Sequence, residues 1–187
     1  ATYEAELERL AGAMQGAMSE RVYILYSDDT FGKGASASLR QSLAKLNIQV
    51  PMNIAVERSG KNLKEMVKQL TDELATERKP AAVALLVLAQ PMVQAARLIR
   101  RTNLQPLYAM SFVCNGTVST VADKALAGLG VMLAFPLPRS AANTITHVYR
   151  NDCRRAGDLG LIESVTAFEG YFYARCFGQA VANSPTR

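Results

Sequence analysis

Residues 81–89 read AAVALLVLA, an apolar run without a single polar position. A strand with one wet face alternates apolar and polar residues. A strand that is dry on both faces does not, and such strands belong to parallel sheets covered by helices on either side. This stretch therefore predicts a sheet between two helical layers, and the rest of the chain supplies the expected partners.

Residues 3–18 carry Leu7, Leu10, Met14 and Met18 at helical spacing, with Thr2 as the expected N-cap and Glu4 and Glu6 at the positive end of the helix dipole. Val22 to Tyr26 is the first predicted strand. It ends in the polar turn Ser27-Asp28-Asp29-Thr30 and runs through Phe31-Gly32-Lys33-Gly34 into a helix predicted over 34–46, with Asn47 as a left-handed stop. A second strand is expected over 48–57, entered through Pro51, which suits an edge. Asn62 and Glu65 have capping-box spacing before a helix with Leu63, Met66, Val67, Leu70 and Leu74 on one stripe, closed by Lys79-Pro80. After the 81–89 strand, Gln90-Pro91 is expected to open a helix whose inner face is Met92, Ala95, Ala96 and Ile99. A short strand over 106–109, a loop over 110–116, a short helix over 117–123 and a fifth strand over 130–135 follow. This alternation predicts an α/β fold, a doubly wound parallel sheet in three layers of the Rossmann or flavodoxin-like kind.

After Phe135 the pattern changes. Pro136-Leu137-Pro138-Arg139 reads as a crossing segment, followed by helices expected over 141–156 and 164–182. The predicted division is therefore 1–135 for the α/β body and 136–187 for the crossing and its helices. The last helix is apolar nearly all round, so it calls for cover on more than one side.

Chemistry-bearing motifs are absent. Gly32-Lys33-Gly34 follows a strand but fits neither phosphate-loop template. Asp28-Asp29 lies where a phospho-receiver domain keeps acids, yet the third strand ends Leu86-Val87-Leu88-Ala89, without the aspartate such a domain needs. His147 has no nucleophile motif beside it, and Cys114, Cys153 and Cys176 are too few and too far apart for a disulfide framework or a zinc site. One disulfide between any two of them remains open. The expectation is a binding protein, not an enzyme, with no catalytic residues, metal or cofactor. Net charge is +5, and Arg97, Arg100 and Arg101 form the tightest basic knot. No aromatic residues interleave with it, so it reads as a solvated helix face with no nucleic-acid role. No apolar run approaches the roughly 20 residues of a membrane span. The first residues have neither the basic nor the apolar region of a signal peptide.

The segments VYILYSDDTFGKG (22–34), AAVALLVLAQPMVQAARLIRRTNL (81–104), LYAMSFVCNG (107–116), VMLAFPLP (131–138) and SVTAFEGYFYARCFGQAV (164–181) occur in an order that resembles the type I periplasmic binding proteins. The resemblance is to their leucine/isoleucine/valine-binding group, substrate-binding subunits of ABC transporters. It implies two α/β lobes around a ligand cleft. Residues to about 135 are then the second lobe, and 136–187 cross back to supply helices that pack on a first lobe, most of which lies outside this chain. It also implies a periplasmic or extracellular location, a signal peptide upstream, and a membrane ABC permease as partner.

Carried over by position, the family's ligand contacts fall on Phe31, on Ala89 or its neighbour Leu88, and on Phe112. In amino-acid binders the first two are typically aromatic and the third is an acid that pairs with the ligand ammonium. Here Phe31 keeps an aromatic wall, Ala89 leaves extra room, and Phe112 removes the acid, with nothing charged over 110–115 to replace it. A buried ammonium would lack its countercharge, which is costly. The resemblance therefore points to a small carboxylate, branched-chain amino-acid-like or, better suited, an aromatic or apolar acid without the amine. Gln90 and Ser111 are the polar groups expected to orient it. A ligand-sensing ectodomain of a membrane receptor is the alternative role on the same fold, and a flavodoxin-like enzyme ranks below both. The 164–182 helix, without a first lobe, is expected to drive self-association.

Overall fold

The computed structural model describes residues 2–102, 105–110, 126–132, 137–138, 140 and 143–183. The chain divides into two compact units, residues 1–134 and 135–187.

In the first unit, α1 (Tyr3–Gly16), β1 (Arg21–Ser27), α2 (Thr30–Lys45), β2 (Asn53–Val56), α3 (Leu63–Thr76), β3 (Ala81–Leu86), α4 (Ala89–Arg100), β4 (Leu107–Ala109) and β5 (Leu129–Val131) follow in that order. The strands form one parallel sheet in the order β2-β1-β3-β4-β5. The 81–89 run is the reason β3 sits at the centre. All of Ala81–Leu86 is buried, and its side chains alternate between two cores. Ala81, Val83 and Leu85 join Tyr23, Leu25 and Leu107 beneath α3 and α4. Ala82, Ala84 and Leu86 join Val22, Ile24 and Met110 beneath α1 and α2. This is the doubly wound three-layer α/β architecture that the sequence predicts. On the edge strand β5, Gly130 stands opposite Tyr108 of β4, and a Cβ there would lie 2.6 Å from the tyrosine ring.

Several boundaries differ from expectation, each for a local reason. Helix α2 begins at Thr30, not at residue 34, because Asp29 caps it: Gly32 N–H donates to Asp29 Oδ1 at 2.7 Å. Strand β2 begins at Asn53, not at residue 48. The preceding segment touches β1 through the Arg21–Gln49 bridge, and Pro51 has no N–H to extend the ladder. The capping box at α3 does not form; Asn62 Oδ1 instead accepts from Glu57 N–H at 2.8 Å. That helix ends at Thr76, before Lys79-Pro80. Helix α4 begins at Ala89, so Pro91 sits third in the helix, still within the first turn where a missing N–H costs nothing. Thr2 caps α1, and Asn47 has φ of 57° as its left-handed stop requires. The expected loop over 111–116, the helix over 117–123 and the end of the fifth strand beyond residue 132 lie outside the described residues.

The second unit contains α5 (Thr144–Ala156), a short turn of 3-10 helix (Leu159–Leu161) and α6 (Val165–Ala182). Tyr149, Cys153 and Phe168 form its small core. Tyr149 donates to the Leu161 carbonyl at 2.6 Å, and Tyr171 donates to Asp152 at 2.6 Å. Along α6 only Phe168 is fully buried. His147 is exposed and lies 3.2 Å from the Asn151 side chain. Cys153 is buried, Cys176 is exposed, and Cys114 lies outside the described residues.

At the amino end of the sheet, Glu77 ties three segments together. Its Oε2 accepts from Arg21 at 2.9 Å and from the Tyr23 hydroxyl at 2.7 Å, and its Oε1 accepts from the N–H groups of Arg78 and Lys79 at 3.0 Å each. Its side chain is only 4% exposed. The Tyr23 hydroxyl, then the Lys79 N–H and Arg21, hold its pKa at about 2, below the ordinary 4.5. Burial, reinforced by Glu77, pushes Tyr23 up to about 12. A depressed carboxylate stabilises the fold above its unfolded pKa and loses that contribution as pH falls through the folded one. Glu77→Gln is therefore expected to lower the melting temperature at neutral pH. The gap from wild type should narrow as pH drops from about 4.5 to about 2, and thermal melts across that range check it. A gap independent of pH would assign the loss to packing alone.

Candidate functional site

The strand order creates one place where neighbouring connections part. From β1 the chain turns to α2 on one face of the sheet, and from its neighbour β3 it turns to α4 on the other. Ligands of open α/β sheets bind at such a switch point, outside the carboxyl ends of the strands.

The segment after β1 is held tightly. Asp28 N–H donates to Val56 O at 2.7 Å, fixing the turn to β2, and Lys33 pairs with Asp28 at 2.7 Å. Asp29 accepts from Gly32 N–H at 2.7 Å and from the Ser27 hydroxyl at 3.0 Å, with Arg58 at 3.9 Å. The Gly32 N–H is the main cause holding the Asp29 carboxyl below its ordinary range, with Ser27 and Arg58 adding to it. Asp28 in turn raises Lys33. Gly32 has a steric role: a Cβ there would lie 2.0 Å from the Ser27 carbonyl oxygen. Both aspartates are thus used in building the turn, as cap and as ion-pair partner.

Phe31 follows as a half-buried ring packed against the α1–α2 core. It meets Tyr3 edge to face, with ring centroids 5.0 Å apart at 81°. Tyr3 is the first residue of α1 and is 52% exposed, so the two rings make an apolar ledge that remains partly open to solvent. The sequence singles out Phe31 but not Tyr3. A helix packed antiparallel to β1 starts at the strand's carboxyl end, and that signal was available.

After β3, Val87 stays buried and Leu88 is the extended N-cap of α4, with no side-chain acceptor for the helix. Ala89 is half-buried and Gln90 exposed. Since Tyr26 pairs with Leu86, the Phe31 segment and the Ala89–Gln90 segment leave adjacent strand ends. Ser111 and Phe112 lie outside the described residues.

Among the described residues no three or more His, Cys, Asp or Glu side chains gather as a metal would require, and no helix is long and apolar enough to cross a membrane.

Comparison with known proteins agrees with this architecture. An extracellular ligand-binding receptor from Verminephrobacter eiseniae superposes with a TM-score of 0.79 at 20% identity, over 100% of this chain and 52% of that one. A substrate-binding periplasmic protein from Ralstonia solanacearum gives 0.75 at 21%, over 100% and 52%. A possible leucine/isoleucine/valine-binding protein from Rhodopirellula baltica gives 0.77 at 19%, over 100% and 51%. The chain thus spans about half the length of the solved structures it matches, and at these identities the likeness shows the fold alone. No curated protein matches in sequence. The model of a family of binding proteins, not enzymes, described as periplasmic binding protein, matches residues 1–187 throughout, and the chain belongs to that family.

Proposed function

We propose that residues 1–134 are the second lobe of a two-lobed substrate-binding protein, and that residues 135–187 return toward its first lobe. The whole protein works in the periplasm or outside the cell and hands a small ligand to a membrane ABC permease. The ligand sits in the interlobe cleft against Phe31, Ala89, Gln90, Ser111 and Phe112.

The observation that carries the ligand class is the state of the two acids after β1. Asp28 is occupied by Lys33, and Asp29 by Gly32, Ser27 and Arg58. Neither is left for a ligand ammonium, and residues 110–115 contain no acid. An amine beside the β1 turn would find no free countercharge in these two acids. A carboxylate fares better. The start of α4 has no side-chain cap, and the first N–H groups of a helix favour an anion. Phe31 and its neighbour Tyr3 suit an aromatic or otherwise apolar body.

Calorimetry and thermal shift on the two-lobed protein test this. An aromatic or apolar acid at 100 times its dissociation constant should stabilise by about 2.7 kcal/mol. Phe31→Ala should weaken it about tenfold, ~1.4 kcal/mol. Tight leucine binding with no response to such acids would overturn the reading.

Helix α6 supports the assignment of the second unit. Tyr173, Phe177 and Val181, four residues apart, are 56%, 72% and 58% exposed. Such a stripe calls for cover, and in the whole protein the first lobe provides it. For the chain alone, a second copy is the available cover. Sedimentation should therefore show association that rises with concentration, and Phe177→Ser should reduce it. A monomer at high concentration would contradict this.

A further inference from the structure

The basic knot at the end of α4 does not stand alone. A groove of about 200 Å3 lies between α3 and α4, and Lys64, Lys68 and Arg101 line it. Val67, only 2% exposed, and half-buried Leu98 line it as well and give it an apolar floor. No carboxylate lines it.

The fold's own needs account for only part of these charges. Arg100 is used within the chain, donating to the Gln105 carbonyl at 2.8 Å, and Lys68 pairs with Asp72 at 2.6 Å. Lys64 and Arg101 are exposed and make no ion pair among the described residues. Arg101, at the end of α4, is favoured by the helix dipole. Lys64 is the second residue of α3, where the dipole disfavours a cation. Two helices thus bring unpaired positive charge to one cleft, one of them against its local electrostatics.

We propose that this groove is a docking site for an acidic segment of a partner protein, one that places carboxylates on the two walls around a single apolar side chain seated on Val67 and Leu98. The floor decides the class of partner. A free phosphate makes no use of it, and a cleft between two helices does not lie flat on a bilayer. The site is independent of the ligand crevice and does not rest on the ligand assignment.

The test is an amide NMR titration of the chain with an acetylated, amidated peptide carrying glutamates on both sides of one leucine. Saturable shifts are expected over 63–71 and 98–102, weakened by added salt. Replacing the peptide's leucine by serine should weaken binding. Lys64→Glu with Arg101→Glu should weaken it about tenfold, and the neutral pair Lys64→Gln with Arg101→Gln by less, which guards against a charge-reversed variant that fails to fold. No saturable shift overturns the proposal, as does binding that survives both double variants. Equal or tighter binding of inorganic phosphate or of phosphatidylglycerol vesicles, lost in the same variants, also overturns it, in favour of a phosphate or a lipid surface.

Discussion

The constraint on which the rest depends is the burial of β3 on both faces. A strand with no access to water must satisfy every N–H and C=O within the sheet, so it needs a neighbour on each side. Here β1 pairs with it from Arg21↔Ala81 to Tyr26↔Leu86, and β4 takes the other edge. Its apolar side chains then need a helical layer above and below. The small Ala82 and Ala84 lie on the face covered by the large residues of α1 and α2, among them Leu7, Leu10, Met14, Leu39 and Leu43. Once β1 lies beside β3 and their helices lie on opposite faces, the crevice at their carboxyl ends follows from the topology.

The two ends of this sheet are built differently. At the amino end, Glu77 gathers a guanidinium, a phenol and two backbone N–H groups on one carboxylate, which is dense, charge-assisted bonding. At the carboxyl end, Asp28 and Asp29 are engaged within the β1 turn, and the Phe31–Tyr3 ring pair stands beside it.

Most of the fold was legible because burial is written in the residue pattern. The continuous 81–89 run and the stripes Leu63–Val67–Leu70–Leu74 and Met92–Ala95–Ala96–Ile99 mark buried faces directly. Boundaries were less legible, because capping is a competition between local acceptors. Asn62 and Asp29 both sit before helices, but Asn62 turned back to Glu57 while Asp29 took Gly32. The candidate site was legible only as positions along the chain. Phe31, Ala89 and Gln90 sit past strand ends as a βα reading places them, but Tyr3 and Arg58 reach the β1 turn from distant sequence. The meeting of Arg101, at the end of α4, with Lys64 and Lys68 of α3 is likewise a product of helix packing that neither helix reveals alone.

The two units obey different physical rules. The first closes its own core: two apolar layers cover the sheet, with Tyr23, Leu7, Leu10, Met14 and Ile24 fully buried. The second buries Tyr149, Cys153 and Phe168 and leaves Phe177 72% exposed. Burying a side chain of that size is worth roughly 1.5–3 kcal/mol, so an open stripe of three is a substantial stabilisation left unused. Its polar network, Tyr171 on Asp152 with Arg175 beside both, orders the helix pair without closing it. Unfolding of this chain therefore reports mainly on the sheet.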